Sequence, residues 1–194
     1  MSAGIQYFGA TTAVGAHYGE LIDAVRDLLD AVTVTDAPDD VIRRSIDELR
    51  HLSSALGSRP STGDHYPAGH RFDLPGRGHP LSIHIDVLEQ TAALMRGRLR
   101  FDTVHMGHRG IAHGGSVAYA FDEALGVFPM QVSPPPRTAW LRVDYRRGAP
   151  VHTDLHVDVE LVERAGRKML LRGKLHDGTT TFAEAEGLFV QPRH

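Results

Sequence analysis

The chain contains no cysteine, one tryptophan, only two lysines and no long apolar run. The lack of cysteine excludes disulfide bonds, thiolate nucleophiles and cysteine-ligated zinc. A membrane helix needs about 18 or more consecutive apolar residues, and the N-terminus has no basic region followed by such a run. These absences predict a soluble protein without a membrane span or signal peptide, and they favour a cytoplasmic location.

A strong excess of either charge is also absent, since 21 Lys and Arg stand against 24 Asp and Glu. The net charge of −3 offers no basic surface for nucleic acid, so we expect no such partner. The thirteen histidines raise the question of a metal site. His105, His108 and His113 lie close together with Asp102 nearby, but they form no His-Glu-x-x-His pair and stand in a glycine-rich loop. We predict no bound metal.

The length of 194 residues suits one domain with an appendage. Apolar residues recur twice at helical spacing within residues 1–57, which predicts an N-terminal extension of two amphipathic helices. The second helix is predicted to be capped by Asp36 and to end at Gly57. Residues 58–80 are rich in proline, glycine and histidine and predict an irregular connection. Neither helix can bury its apolar stripe alone, so we expect both to pack on the core or on a partner subunit.

Residues 81–194 predict a folded domain of the α+β class. Two less regular strands precede an apolar helix, and four strands with alternating apolar residues follow it. Gly166 and Gly178 stand in turn sequences between the last three strands, which are therefore predicted to be antiparallel. One curled antiparallel sheet can cover such a helix nearly all round. The predicted strands are 81–88, 92–101, 139–146, 155–162, 168–175 and 180–190, and the predicted helix is 116–130.

A His-Gly-Gly triplet, His113 to Gly115, stands at the start of the apolar helix, and Asp122 follows about two turns later. The glycines allow a reacting group to approach backbone N–H groups at a helix start, where negative charge is favoured. Asp122 has apolar neighbours, and a carboxylate that is costly to bury often has a chemical role. The triplet is also compatible with a simple tight turn, and Asp122 with a solvent-facing position.

The order of these motifs resembles that of the hotdog-fold acyl-CoA thioesterases, in the branch of the phenylacetyl-CoA-type and mammalian thioesterase-superfamily-member enzymes. The resemblance covers residues 81–190 approximately. It rests on the His-Gly-Gly triplet with Asp122 nine residues after the histidine, on a Thr-Ala-x-Leu-x-Val-x-Tyr strand from Thr138, and on Gly166-Arg167-Lys168. It implies the hotdog fold, in which a curled antiparallel sheet wraps around one central helix.

The resemblance also implies roles for single residues. Gly114 would donate the backbone N–H that binds the thioester oxygen, and His113 would help to hold that loop. Asp122 would be the nucleophile or the general base that activates water, and Thr138 would position the water or the carboxylate. Relatives pair into homodimers or dimers of dimers, in which Gly114 of one subunit would face Asp122 of the other.

Asp144, Arg146, Arg167 and Lys168 match positions that contact coenzyme A in the resembling enzymes. The implied reaction is hydrolysis of an acyl-CoA thioester to the free acid and coenzyme A, which makes coenzyme A part of the substrate and requires no separate cofactor. A non-catalytic acyl-CoA-binding or regulatory protein of the same fold is the alternative. Hydratases of this fold carry the acid before the histidine, and this chain has the opposite order.

Overall fold

The computed structural model describes residues 15–61, 66–131 and 134–193, without the side chain of residue 131. The chain divides into two compact units, and each is described by itself. The described residues up to Pro80 form the first unit, and the second begins at Leu81. Within the described residues, no helix is both long and apolar enough to cross a membrane.

The first unit contains the two predicted helices, α1 (Tyr18–Thr33) and α2 (Asp39–Gly57). The predicted cap at Asp36 is wrong: Pro38 is the N-cap residue of α2, and its extended backbone starts the helix without a side-chain hydrogen bond. Proline suits a helix start because its missing N–H would have no partner there. No residue of α2 is buried within the described structure, and its apolar stripe remains accessible.

The part of the 58–80 connection that follows residue 65 is held to α1 by hydrogen bonds. The hydroxyl of Tyr18 donates to the carbonyl of Gly78 at 3.1 Å. The guanidinium of Arg26 donates to the carbonyls of Pro75 and His79 at 3.2 and 3.0 Å. This stretch contains a short 3₁₀ helix at Pro75–Gly78, and its backbone carbonyls are tied to the first helix.

The second unit is the predicted α+β domain, with eight strands and one long helix in its described part. Six strands form one antiparallel sheet in the order β1-β2-β6-β7-β8-β5, and β3 and β4 form a separate short hairpin. The sequence had not indicated this hairpin, because each of its strands is three residues or shorter. The elements are β1 (Ile85–Gln90), β2 (Leu94–Arg100), β3 (Met106–His108), β4 (Ile111–Ala112), α3 (Gly114–Val127), β5 (Arg137–Tyr145), β6 (Asp154–Ala165), β7 (Lys168–His176) and β8 (Thr181–Val190).

The predicted hairpins between the last three strands are confirmed. Gly166 and Gly178 take positive φ angles of 57° and 98°, which glycine adopts without steric cost. The Asp177 side chain accepts hydrogen bonds from the N–H groups of Thr179 and Thr180. These bonds, with that from Thr180 the strongest, hold the pKa of the Asp177 carboxyl below its usual value. The turn is thus closed by an ionised side chain.

The helix α3 lies on the inner face of the sheet and supplies the centre of the core. Phe121 and Leu125 are fully buried, and they contact the sheet at two glycines, Gly173 and Gly187. A Cβ atom on Gly173 of β7 would lie 2.9 Å from the Phe121 ring and 2.8 Å from Leu125, and one on Gly187 of β8 would lie 3.0 Å from Leu125. These two glycines therefore allow the helix to approach the sheet closely.

The helix differs from its prediction at both ends. It begins at Gly114, two residues before the predicted start, and gives way to a 3₁₀ turn at Phe128–Gln131. The earlier start follows from the cap that His113 provides. The earlier end follows from Pro129, which has no N–H to donate to the carbonyl of Leu125.

Opposite effects on stability are predicted for two glycine-to-alanine changes. Gly173→Ala should lower the free energy of unfolding by about 1–3 kcal/mol, because its methyl group would clash with Phe121 and Leu125. Gly126→Ala is the matched control inside α3. Its Cβ would meet only Phe189, at 4.0 Å, so better helix propensity should raise stability by about 0.5–1 kcal/mol.

Urea denaturation of both variants checks this prediction. A Gly173→Ala protein as stable as the wild type would contradict the close seating of α3 on the sheet.

Candidate active site

The start of α3 is organised by His113. Its Nδ1 atom accepts a hydrogen bond from the N–H of Gly115 at 2.9 Å. Its backbone carbonyl accepts from the N–H groups of Ser116 and Val117 at 2.9 and 3.1 Å. The first four N–H groups of a helix have no partner within the helix, and His113 satisfies three of them.

The remaining group is the N–H of Gly114, the first residue of α3. This N–H donates no hydrogen bond to any described part of the chain. It stands at the positive end of the helix dipole and carries no side chain of its own. A backbone N–H in this position can receive an oxygen atom on which negative charge develops. The sequence pointed to this triplet, and the structure leaves one of its donors available.

The short β3–β4 hairpin holds His113 in place. The N–H of His113 donates to the carbonyl of His105 at 2.8 Å. Gly107 lies directly against the His113 backbone, since a Cβ atom on Gly107 would stand 2.8 Å from the Cα atom of His113. His105 is itself fixed, because its Nδ1 atom accepts from the N–H of Asp102 at 2.9 Å. The histidines of this loop therefore serve local backbone geometry.

Asp122 lies one position after Phe121 on α3, at the border of the buried helix face, and it is half-buried. The Thr138 hydroxyl donates to Asp122 Oδ1 at 2.9 Å. Thr138 lies opposite Phe189 of β8, on the inner face of the sheet, and a bulge separates Thr138 from Trp140. The hydrogen bond orients the carboxylate and leaves its second oxygen available for chemistry.

The two halves of the candidate site do not meet within one chain. Gly114 and Asp122 are eight residues apart on α3, which corresponds to about 12 Å along the helix axis. An attacking oxygen and an oxyanion donor on the same carbonyl group can be only about 7 Å apart. Asp122 cannot therefore attack a carbonyl group held by Gly114 of the same subunit.

Tyr145, at the far end of β5, contacts the other half of the site. Its hydroxyl donates to the carbonyl of Gly114 at 2.9 Å. The strand β5 is thus tied to α3 at both ends, through Thr138 at one end and Tyr145 at the other. In the sequence, Tyr145 is the last residue of the Thr-Ala-x-Leu-x-Val-x-Tyr motif, and no role was predicted for it.

The four residues that are predicted to contact coenzyme A fall into two groups. Asp144 and Arg146 lie at the Tyr145 end of β5, where they pair with Arg142 at 3.2 Å and with Glu184 at 2.8 Å. Arg167 and Lys168 lie in the turn between β6 and β7, next to the opposite end of β8. Ala183, opposite Tyr145, and Val190, opposite Lys168, are seven residues or about 23 Å apart on β8, so one subunit does not bring the groups together.

A concavity of about 600 Å³ lies on the outer face of the sheet, away from α3. Its charges alternate from strand to strand in the row Glu160, Arg172, Glu186 and Arg142. Of the predicted site residues it contains Asp144 alone. Among the described residues, no group of three or more His, Asp or Glu side chains is placed to hold a metal ion.

Comparison with known proteins identifies the family of this chain. A family model described as "Thioesterase superfamily" matches residues 109–183. A Pseudomonas aeruginosa protein named "Putative esterase PA0474" is 33% identical over 97 residues, which cover 48% of this chain and 72% of that protein. The chain belongs to the thioesterase superfamily.

Solved structures place the domain in the same fold. The thioesterase superfamily protein RHA08564 is 23% identical, with a TM-score of 0.75 over 94% of this chain and 95% of that one. The protein smu.793 of Streptococcus mutans, solved with acetyl CoA, is 15% identical, with a TM-score of 0.52 over 57% and 91% of the two chains. The predicted hotdog fold is confirmed, and superfamily membership supports a hydrolase acting on thioester bonds in general.

The cap at His113 can be tested by stability measurements on two variants. His113→Ala leaves the N–H of Gly115 without its partner and should lower the free energy of unfolding by about 1 kcal/mol. His113→Asn is the matched control, because asparagine is a good N-cap residue and should retain most of the stability. Equal losses in both variants in urea denaturation would contradict the capping role.

Proposed function

We propose that the protein hydrolyses an acyl-CoA thioester to the free acid and coenzyme A. The observation that carries the proposal is the Asp122 carboxylate, oriented by Thr138, together with the unengaged N–H of Gly114. The fold is shared with structures solved with acetyl CoA and with coenzyme A, from Streptococcus mutans and Streptococcus pneumoniae, which supports a coenzyme A ester as the substrate.

The proposed chemistry follows from these groups. The free oxygen of Asp122 either attacks the thioester carbon or removes a proton from a water molecule that attacks it. Negative charge then develops on the carbonyl oxygen and is received by the N–H of Gly114. The C–S bond breaks and coenzyme A leaves as a thiolate, and in the general-base route Asp122 then passes its proton to this thiolate. If Asp122 is the nucleophile, water hydrolyses the resulting anhydride and restores the carboxylate. No metal or further cofactor takes part in this proposal.

The active unit we propose is a dimer joined along β5. Among the described strands, β5 is at the edge of the sheet, and an edge of nine residues invites pairing with another strand. Two-fold pairing of β5 with its copy is antiparallel, so the Thr138 end of one strand meets the Tyr145 end of the other. Asp122 of one subunit then approaches Gly114 of its partner, which resolves the 12 Å separation within each chain.

The same pairing brings the two groups of coenzyme A residues to one end of the dimer sheet. Lys168 and Arg137 both lie opposite Val190, at the Thr138 end of β5. The partner's Arg146 would lie beside that end, three strand spacings or about 14 Å from Lys168. We assign Arg146, Arg167 and Lys168 to the phosphates of coenzyme A.

Removal of the Asp122 charge should abolish hydrolysis while acyl-CoA binding survives. Asp122→Asn preserves shape but supplies neither nucleophile nor base, so kcat should fall at least about 100-fold. Glu123→Gln is the matched control: this neighbouring carboxylate accepts a hydrogen bond from Ser82, and its loss should leave kcat within about threefold. Steady-state kinetics over acyl-CoA esters from acetyl to palmitoyl, with aromatic thioesters, provides the measurement.

Activity of Asp122→Asn close to that of the wild type would place the chemistry elsewhere. Wild-type protein that binds acyl-CoA esters but hydrolyses none of them would favour the non-catalytic alternative.

Two inactive proteins should restore activity when they form a mixed dimer. Asp122→Asn removes one half of each site, and Gly114→Val blocks approach to the N–H in the other half. A mixed dimer then holds one intact site and one doubly damaged site, and its activity should be about half that of the wild-type dimer. Gly114→Ala controls for folding, because its Cβ would stand at an ordinary 3.6 Å from Tyr145.

Co-expression with two affinity tags gives the mixed dimer in pure form. Folded mixed dimers without activity, or a wild-type protein that is active as a monomer, would contradict the shared site.

A further inference from the structure

Tyr145 lies against the glycine whose N–H is the proposed oxyanion donor. Its hydroxyl donates to the Gly114 carbonyl at 2.9 Å. Its ring covers the same residue, since a Cβ atom on Gly114 would lie 3.6 Å from the ring atoms Cε1 and Cζ. Tyr145 is 54% exposed, so burial of its side chain does not account for this placement.

Almost all donors and acceptors of the two peptide groups around Gly114 have a hydrogen-bond partner. In the peptide group before Gly114, the His113 carbonyl accepts two bonds from the first turn of α3. In the peptide group after it, Tyr145 binds the Gly114 carbonyl and the His113 side chain accepts from the Gly115 N–H. The group left over within the described chain is the N–H of Gly114 itself.

We propose that Tyr145 is a positioning residue for the thioesterase reaction. By holding the carbonyl of Gly114 it restricts the backbone angles of this glycine, so that the N–H of Gly114, in the preceding peptide group, points at the thioester oxygen. This inference rests on the proposed function. Two consecutive glycines have more backbone freedom than any other pair of residues, so the contacts with His113 and Tyr145 are needed to restrict their orientation. A donor that is already oriented stabilises the transition state without reorganising during the reaction.

The position of Tyr145 on β5 couples this orientation to the rest of the site. The strand holds the Asp122 carboxylate through Thr138 at one end and the Gly114 peptide through Tyr145 at the other. When two copies of β5 pair antiparallel, each composite site is flanked by Thr138 of one subunit and the partner's Tyr145. Contacts from β5 then set the positions of both the Asp122 carboxylate and the Gly114 peptide.

Tyr145→Phe tests the proposal, because it removes the hydroxyl and keeps the ring. We expect kcat to fall about 5- to 30-fold with KM changed less than twofold, since the lost bond orients a donor that acts mainly in the transition state. Tyr66→Phe is the matched control. Tyr66 is an exposed tyrosine of the first unit, and its variant should retain wild-type kinetics.

A double-mutant cycle separates positioning from a general structural effect. If Tyr145 acts through Gly114, then Tyr145→Phe should lower the residual kcat less than twofold in a Gly114→Val background, where approach to the donor is already blocked. The ¹⁵N–¹H resonances of Gly114 and Gly115 provide a readout that does not need catalysis. Tyr145→Phe should shift both amides and increase their fast backbone motion.

The outcomes distinguish this inference from the proposed function. Wild-type hydrolysis with an unchanged kcat in Tyr145→Phe overturns the positioning role and leaves the function intact. A loss that appears only in KM, or that is equally large in the Gly114→Val background, overturns it as well. If the wild type hydrolyses no acyl-CoA, the proposed function fails, and unchanged glycine amides in Tyr145→Phe would then show separately that Tyr145 does not hold the peptide.

Discussion

The close packing of α3 on the sheet is the contact on which the rest of the structure depends. Phe121 and Leu125 reach the sheet only because Gly173 and Gly187 carry no side chains. Their burial fixes the rotation of the helix about its own axis. Asp122 follows Phe121 directly and is therefore placed at the border of the buried face, where Thr138 can reach it. Packing of the core thus decides where the carboxylate stands.

The sheet around α3 ends at β5 among the described strands, and this edge lies beside both halves of the candidate site. The helix carries a donor at its start and a carboxylate two turns later, too far apart to act on one carbonyl group. The edge strand β5 contacts both, through Tyr145 and Thr138. A second copy paired along this edge would cover the unpaired backbone groups of β5 and complete two sites in the same step. In this arrangement, assembly and catalysis depend on one strand.

Much of the fold could be predicted from local patterns. Alternating apolar residues predicted β6, β7 and β8, and their turns were predicted by Gly166 and Gly178, whose positive φ angles the structure shows. The β3–β4 hairpin could not be predicted, since strands of two and three residues carry no readable alternation. The cap of α2 was assigned to Asp36 because its side chain suits a cap, whereas the chain begins the helix with the backbone of Pro38.

For the candidate site, the sequence by itself determined which groups are available: the glycine pair with its histidine, a carboxylate nine residues later and a threonine sixteen residues after that. Such spacings along one helix follow from its geometry alone. Only the tertiary structure decided that Thr138 reaches Asp122, that Tyr145 holds Gly114, and that Arg146 and Lys168 lie at opposite ends of the sheet. These relations join residues on different strands, and their distances depend on strand order and register, which no local pattern encodes.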